Sequence, residues 1–183
     1  IDPSFTVDDV GDRFVSDNVV FGAYLNPDAY GNITLIMNRN VVGEVSFSDG
    51  NASLTITSLT YGNKTVDVVY SGNDKYLSKT VRKTFSVDKI KPDLMVVNPS
   101  KIYVGDSITF SVKLPNGVVG VVNITIGDVT ETVVAKSSLE ISISNLTHGL
   151  KKAVISYSGD SKYYSDSISK EFEVVKNTVN MVA

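Results

Sequence analysis

Apolar side chains recur at every second position in many short stretches of this chain, which is the period of a strand with one buried face. Val66, Val68 and Tyr70 show this period, and so do "NVVFGAYL" and "SITFSVKL". Turn-forming groups such as "PNG", "SDG", "THG", "SGND" and "SGDS" separate the stretches, at intervals of about eight to twelve residues. No stretch has a convincing helical period, so the pattern predicts an all-β protein.

The strands are easiest to place in the second half of the chain, where the pattern predicts seven. They lie near residues 93–98, 106–114, 121–126, 130–135, 138–144, 151–158 and 165–175. Seven short strands in about 90 residues are typical of a two-sheet sandwich of the immunoglobulin type. The chain has no Cys and no Trp, so we expect aliphatic, Tyr and Phe side chains to fill the core.

An internal repeat organises the sequence. The segment 70–89, which begins "YSGNDKYLSKTVRKTFSV", matches 157–176, which begins "YSGDSKYYSDSISKEFEV", at ten of twenty positions. The match continues upstream, first at the same offset and then at an offset of 89, which places Phe21 over Phe110. A two-residue change of offset is an ordinary loop difference, so the chain consists of two copies of one unit.

The repeat predicts two tandem immunoglobulin-like β-sandwich domains of about seven strands each, at 1–89 and 90–176. The tail, 177–183, falls in phase on the first strand of a copy, and we interpret it as the start of a truncated third repeat. The parent protein is then expected to be an array. The opening "IDPSFT" resembles a short leader from an expression vector, and on that interpretation the first few residues lie outside the fold.

Composition narrows the classes of function. Hydrophobic residues make up 42% of the 183 residues, which is enough to bury a core. The formal net charge is −3 with both signs mixed, so there is no case for the basic face that nucleic acid requires. No apolar run approaches the ~18 residues of a membrane helix, and we expect no membrane contact within this segment. Without Cys, the chain has neither a disulfide framework nor thiolate chemistry.

The motif Y-S-G-[ND]-x-K-Y, followed by a strand that ends F-x-V, resembles the bacterial-type immunoglobulin-like repeats of large prokaryotic surface proteins. It is most similar to the repeats of adhesin-like proteins of methanogenic archaea. "VGDSITFSVKLPNG" matches the second strand and following turn of the same family. The first copy departs from the family at Ser16, where a Gly is usual before the Asp. This departure concerns the first loop of that copy and not its fold.

The resemblance implies an extracellular protein, attached to the cell surface through other parts of the parent chain. It also implies a role in adhesion, or in spacing an adhesive region from the cell. The implied partners are a glycan or protein on a host or partner cell and the neighbouring immunoglobulin-like repeats. Our first hypothesis is a spacer. The alternative is a binding module that recognises carbohydrate or protein through end loops that diverge between the copies, such as "NPDAYGN" and "LPNGVVG".

Three Asp-containing segments are candidate calcium sites: two repeated loops and the linker. The "SGND" and "SGDS" loops each offer one Asp and are followed by a Lys, whereas Ca²⁺ takes six to eight oxygen ligands. We therefore predict tight turns in which Gly72 and Gly159 adopt positive φ and Asn or Asp bonds its own backbone. In the linker "VDKIKPD", two lysines lie between Asp88 and Asp93 and would repel a dication. Pro92 there predicts a short semi-rigid junction without metal.

Lys83 and Lys170 share the parity of the inward-facing residues in the last strand of each copy. One interpretation is an inward Lys on an edge strand, whose amine extends to water and blocks edge-to-edge aggregation. The other is an intramolecular isopeptide bond to Asn or Asp, which needs a buried carboxyl catalyst beside the Lys. Glu44 and Glu140 are the candidates for that catalyst, but they do not align between the copies.

The sequence contains no recognisable catalytic constellation. His148 is the single histidine and replaces Tyr61 of the first copy at a turn. Without Cys or a second His it does not form a metal site, and no Ser has a base placed by pattern. No carboxylate pair recurs in both copies, which gives no support to glycosidase chemistry. We predict that the protein is not an enzyme and has no metal or cofactor.

Two further groups of residues bear on surface function. Four tyrosines recur in both copies, as Tyr70 with Tyr157 and Tyr76 with Tyr163, and this recurrence predicts packing. Two others, next to turns, are candidates for a binding patch: Tyr30 and Tyr164. Five asparagines lie in Asn-x-Ser/Thr sequons, where chance gives roughly three, and they are glycosylation sites if the parent passes through a glycosylating secretion route. They are Asn32, Asn51, Asn63, Asn123 and Asn145.

Overall fold

A computed structural model describes residues 1–177 of the chain. These residues form two compact units, Ile1–Lys89 and the unit that begins at Ile90, and each unit is a sandwich of β-sheets. No helix occurs among the described residues. The fold class predicted from the periodicity is confirmed: the protein is all-β and consists of two immunoglobulin-like sandwiches. The predicted start of a third repeat, 177–183, lies outside the described residues except for Asn177.

The first unit, which we call module one, has nine strands. They are β1 (Thr6–Val7), β2 (Arg13–Phe14), β3 (Val19–Tyr24), β4 (Gly31–Met37), β5 (Asn40–Phe47), β6 (Asn51–Ile56), β7 (Lys64–Tyr70), β8 (Lys79–Phe85) and β9 (Val87–Asp88). One sheet has the order β1-β3-β6 and the facing sheet has the order β5-β4-β7-β8. The short strand β2 pairs in parallel with β9, which continues the line of β8.

The second unit, module two, repeats this plan with eight strands between residues 90 and 177. They are β10 (Met95–Val97), β11 (Lys101–Tyr103), β12 (Ile108–Lys113), β13 (Val121–Ile126), β14 (Val129–Val134), β15 (Ser138–Ile143), β16 (Gly149–Tyr157) and β17 (Asp166–Val175). Its sheets have the orders β10-β12-β15 and β11-β17-β16-β13-β14. The strand β11 pairs in parallel with β17.

The two modules bury an equivalent pair of phenylalanines between their sheets. Phe21 lies against Phe85 with ring centroids 6.3 Å apart, and the repeat-equivalent pair Phe110 and Phe172 is 6.1 Å apart. All four rings are buried, and a buried Phe contributes about 1.5–3 kcal/mol relative to an exposed one. The described residues include no buried polar or charged side chain. Apolar and aromatic packing therefore occupies the place of the Cys and Trp core of antibody domains.

The seven strands predicted for the second copy leave out one of the observed strands. In module two it is β11, which has three residues and pairs in parallel with the end of β17. A run this short leaves no room for a recognisable alternation, and its partner lies about 70 positions away in sequence. The eight strands observed in the described part of module two are therefore the seven predicted strands and the short parallel strand β11.

The opening residues belong to the fold, so the prediction that the first few residues lie outside it is wrong. Pro3 and Phe5 are buried, and the Phe5 ring packs 6.3 Å from the ring of Tyr70. The backbone carbonyl of Ile1 accepts a hydrogen bond from the amide of Leu77 at 2.9 Å. Module two has the equivalent backbone bond, since the amide of Tyr164 donates to the carbonyl of Ile90 at 3.0 Å. We expect removal of the opening residues to expose part of the core of module one.

The loop with the unusual Ser16 has the same conformation as its counterpart in module two. Ser16 has φ of 73° where Gly105 has 96°, so the serine occupies a left-handed conformation that costs an L-residue about 1–2 kcal/mol. The next residue fixes the turn in both copies, since an Asp17 oxygen accepts the Phe14 amide at 2.9 Å. The turn is thus retained in module one at the expense of backbone strain.

Replacing Ser16 by Gly is expected to raise the free energy of unfolding of module one by about 0.5 kcal/mol. Relief of the left-handed strain (about 1–2 kcal/mol) is partly offset by the larger entropy of Gly in the unfolded chain (about 0.4–1 kcal/mol). Denaturant titration, followed by hydrogen exchange of peptides from residues 1–89, measures the change. The reciprocal variant Gly105→Ser should destabilise module two, and a destabilising Ser16→Gly would contradict the explanation.

Candidate functional site

The repeated motif forms the loop between β7 and β8 in module one and between β16 and β17 in module two. In module two this loop is organised by Asp160. One carboxylate oxygen, Oδ1, accepts the amides of Lys162 and Tyr163, both at 2.7 Å. The other, Oδ2, accepts the amide of Val119 at 2.9 Å. The hydroxyl of Tyr157 lies 2.8 Å from Asp160 Oδ2 and 2.8 Å from the carbonyl of Val119. Asp160 thereby joins two loops of the sandwich.

The electrostatics of this group follow from the same contacts. Burial alone would raise the pKa of Asp160. Hydrogen bonds outweigh this effect and lower the pKa below its ordinary value of 3.8. The largest contributions come from the amides of Tyr163 and Val119, and smaller ones come from the Tyr157 hydroxyl and the Lys162 amide. Burial, followed by the hydrogen bond to Asp160, raises the pKa of Tyr157. The carboxylate is therefore held ionised and the phenol neutral.

Module one makes the same loop with an amide in place of the carboxylate. Asn73 Oδ1 accepts the amides of Lys75 and Tyr76 at 2.9 and 2.8 Å. Its Nδ2 donates to the carbonyl of Tyr30 at 3.1 Å, to which the Tyr70 hydroxyl also donates at 3.0 Å. Asn suits module one because its Nδ2 group can donate to the Tyr30 carbonyl. The corresponding partner in module two is the Val119 amide, which needs an acceptor such as Asp160 Oδ2.

The glycine and serine of the motif complete the loop. Gly72 and Gly159 have φ of 78° and 74°, and a Cβ on Gly159 would lie 2.6 Å from the amide nitrogen of Ser165. The hydroxyls of Ser71 and Ser158 accept backbone amides of the facing strand, at 3.0 and 3.1 Å. The predicted tight turn with positive φ at Gly and a side chain bonded to its own backbone is confirmed in both modules.

The tyrosines divide as the recurrence predicted. Tyr70 and Tyr157 are at most 1% exposed, while Tyr76 and Tyr163 are 6% and 7% exposed. Tyr164 and Tyr30 are partly exposed. The four recurrent rings are therefore part of the packing, and the two non-recurrent ones lie at the surface of the end loops.

The end loops of module one form a polar network. The carboxylate of Asp28 accepts the Tyr76 hydroxyl at 2.7 Å and also contacts the amine of Lys75. The hydrogen bond from Lys75, followed by that from Tyr76, lowers the pKa of Asp28. The equivalent region of module two instead exposes the side chain of Val119. The loops thus differ in chemistry as well as in sequence.

Lys83 lies on the inward-facing side of β8, as its position in the alternation predicted, and it forms an ion pair. Its side chain is 18% exposed, and its amine lies 2.6 Å from a carboxylate oxygen of Asp9, whose side chain is 99% exposed. The hydrogen bond and the charge of Lys83 lower the pKa of Asp9. This geometry matches an inward Lys whose amine extends to the surface at the edge strand β8. Lys170, on β17, is intermediate in exposure and lies beyond the three residues that β11 covers.

Two of the five sequons lie inside the sheets and are hydrogen-bonded across strands. Asn32 on β4 donates to Glu44 at 3.1 Å and accepts the Ser46 hydroxyl at 2.7 Å. Asn123 on β13 accepts the Thr132 hydroxyl at 2.7 Å. Glu44, a candidate isopeptide catalyst, is therefore engaged with Asn32 and not with Lys83. A glycan on either asparagine would break a cross-strand bond.

The other three sequons lie at strand ends or loops. Asn51 begins β6 and donates to the carbonyl of Asp49 at 3.2 Å. Asn145 is exposed with φ of 59°, in the same left-handed position as Ser58. Asn63 is exposed just before β7. These three positions are accessible to a modifying enzyme in the folded chain.

The remaining candidates are surface residues. His148 lies exposed in the bend before β16, as its alignment with Tyr61 predicted. Asp88 in the linker accepts the amide of Lys89 at 2.9 Å. Across residues 1–177, no group of three or more His, Asp or Glu side chains is placed to hold a metal ion. No helix long and apolar enough to cross a membrane occurs in that part of the chain either.

A groove on module one is absent from the sequence analysis. It is a shallow hollow of about 380 Å³ on the outer face of the sheet β1-β3-β6. It is lined by Asp8, Val20, Gly22, Tyr24, Asn51, Ala52 and Ser53. The Tyr24 hydroxyl donates to Asp8 Oδ2 at 3.1 Å. The sequence signal for this site is Gly22, an isolated glycine inside an alternating strand, which marks a close approach of another group.

Comparison with known proteins gives structural likenesses at low identity. No family model matches the chain, and no curated protein matches it. Fibronectin(III)-like modules of Clostridium thermocellum CbhA are 13% identical, with 94% of each chain covered and a TM-score of 0.41. An ICAM-5 ectodomain fragment is 13% identical over 94% of this chain and 53% of its own, with a TM-score of 0.44. A titin I-band fragment is 14% identical over 95% and 66%, with a TM-score of 0.39.

Proposed function

We propose that this chain is a non-catalytic segment of an extracellular, cell-surface-attached, adhesin-like protein. In this role its modules act in series as a spacer that holds an adhesive region away from the cell. The observation that carries the proposal is that both modules use the repeated residues for the same structural contacts. Gly72 and Gly159 shape the same turn, and Tyr70 and Tyr157 anchor the same loop.

The pairing of the terminal strands suits a spacer under tension. In each module a strand near the beginning pairs in parallel with the last strand, as β2 with β9 and β11 with β17. When two parallel strands are pulled from opposite ends, their hydrogen bonds are loaded together in shear. When an antiparallel hairpin is pulled from its open end, its bonds break one after another. We therefore expect this topology to resist a force applied through the chain ends.

Single-molecule pulling tests this role, and the absence of Cys allows introduced cysteines to serve as unique handles. Pulling from the chain ends should unfold the modules in two steps. Module two should resist the higher force because β11 and β17 pair three residues where β2 and β9 pair two. The control uses handles at His148→Cys and Lys176→Cys, which open the β16–β17 hairpin from one end and should require less force. Equal forces in the two geometries would contradict the load-bearing role.

The second candidate function is recognition through the end loops. It is favoured by their divergence, since module one has the Asp28 network and module two has an exposed Val119. The partner in that case is a glycan or protein on a host or partner cell. Binding of the purified chain to a panel of such glycans and cells tests it, with Asp28→Ala and Val119→Ser as variants. Labelling of intact producing cells with an antibody tests the surface location.

Glycosylation remains part of this proposal. Asn63, Asn145 and Asn51 are the sites that the folded chain presents for it, because Asn32 and Asn123 hold cross-strand hydrogen bonds. Glycosylation at any of the five sequons requires that the parent protein is secreted through a pathway that attaches glycans.

A further inference from the structure

The groove on the outer face of β1-β3-β6 in module one is created by a missing side chain. Gly22 lies on the outer face of β3, and a Cβ built on it would lie 2.2 Å from Asp8 Oδ2 and 2.8 Å from the Tyr24 hydroxyl. The Asp8 carboxylate and the Tyr24 hydroxyl therefore come together above a position that only glycine leaves open. Gly22 is part of the groove for this reason and not for a turn.

The walls of the groove offer both apolar surface and hydrogen-bonding groups. Tyr24 is 45% exposed and Val20 is 56% exposed. Asp8 is exposed and uses one carboxylate oxygen to accept the Tyr24 hydroxyl, and an ionised carboxylate can accept further hydrogen bonds. Ser53 and Asn51, which both carry polar side chains, also line the groove. A small ligand in the groove would contact the Tyr24 ring and polar side chains beside it.

This combination matches a neutral pyranose. Such a sugar has an apolar face of C–H groups that packs on an aromatic ring, and equatorial hydroxyls that donate to carboxylates and accept from hydroxyls. The volume of about 380 Å³ is at the small end of ligand sites. The negative charge of Asp8 disfavours acidic sugars, because a second carboxylate would face it in a partly desolvated contact.

We propose that this groove is a binding site for a neutral pyranose of an external cell-surface glycan. The proposal rests on the extracellular location in the proposed function, and it places carbohydrate recognition on a sheet face instead of the end loops. The site is shallow, so a single sugar should bind with a dissociation constant in the millimolar range. Tandem copies on one surface would raise the apparent affinity through multivalency.

Module two provides an internal control. The position of Gly22 is taken by Ser111, whose hydroxyl donates to Glu140 at 2.6 Å. The positions of Tyr24 and Asp8 are taken by Lys113 and Val97. The same sheet face there has neither the aromatic ring nor the Asp8–Tyr24 pair, and its one carboxylate here, Glu140, is bonded to Ser111, so it is not expected to bind the sugar.

The experiment is an NMR titration of the isotopically labelled whole chain with methyl glycosides of glucose, galactose, mannose and N-acetylglucosamine. At least one of them should give saturable shifts at the amides of Gly22 and Ser53. Methyl glucuronoside, the charged control, should bind at least about tenfold more weakly. Mass spectrometry first confirms that Asn51 carries no glycan, since one there would cover the rim.

Three variants test the assignment. Tyr24→Ala should weaken binding about tenfold or more, and Gly22→Ala should do the same by displacing the Asp8–Tyr24 pair. Lys113→Ala, at the equivalent position of module two, should leave affinity unchanged. The spectrum of each variant reports whether the module is folded.

The outcomes separate this proposal from the spacer role. Shifts confined to Tyr30, Asp28 or Val119 would overturn the groove and favour the end loops. No saturable shift with any sugar, in a folded chain, would also overturn the groove and would leave the pulling results unaffected. Stronger binding of the glucuronoside than of its neutral counterpart would contradict the role assigned to Asp8.

Discussion

The variant Gly159→Ala is expected to lower the free energy of unfolding of module two by about 3 kcal/mol. Two effects add. The left-handed φ of 74° costs Ala about 1–2 kcal/mol, and the new Cβ would lie 2.6 Å from the Ser165 amide nitrogen. The nearby atoms are all backbone, so no side chain can rotate away, and relief requires a shift of the loop that costs about 1–3 kcal/mol.

A matched control separates the two effects. Gly117 has nearly the same φ, 77°, but a Cβ there would meet nothing within 4 Å. Gly117→Ala should therefore cost only the conformational part, about 1 kcal/mol. Denaturant titration with hydrogen exchange of peptides from module two measures both. Equal losses for the two variants would show that the loop yields without cost and that the motif does not require glycine for its packing.

Most of the fold is predictable from the sequence because two-residue alternation and repetition reinforce each other. The stretch 121–126 was predicted as a strand and is observed with the same limits in β13. The burial of Tyr70 and Tyr157 also follows from their recurrence, since two copies that diverge in their loops retain what the core requires. The short parallel strand β11 was not predictable, because its existence depends on the position of β17 and not on its own three residues.

The candidate sites were less predictable for a physical reason. The groove gathers Gly22 and Ser53 from two strands and Asp8 from the segment that follows β1, and neither their spacing nor their types form a recognisable motif. The ion pair of Lys83 was predicted as an inward lysine, but its partner Asp9 lies 74 positions away in an irregular segment. The early residues Pro3 and Phe5 were assigned to a leader, although their apolar character was already consistent with burial.

Asp160→Ala is expected to destabilise module two by about 3 kcal/mol at pH 7. The change removes an ionised acceptor from three backbone amides and from the Tyr157 hydroxyl. Hydrogen bonds to charged groups contribute about 1.5–3 kcal/mol each, and water reaches part of this loop and offsets some of the loss. Asp160→Asn should cost about half as much, because its Oδ1 can still accept the amides of Lys162 and Tyr163 as Asn73 does in module one.

The same group makes the stability of module two depend on pH. The folded-state pKa of Asp160 lies below 3.8, so its contribution is complete well above pH 4 and is lost as the pH falls through the folded value. A protonated Asp160 resembles Asn, since one oxygen then carries a hydrogen. The difference in unfolding free energy between the unmodified chain and Asp160→Asn should therefore shrink steadily below pH 4. Denaturant titrations at pH 7, 5, 4 and 3 measure it, and a constant difference across this range would show that the charge of Asp160 does not stabilise the loop.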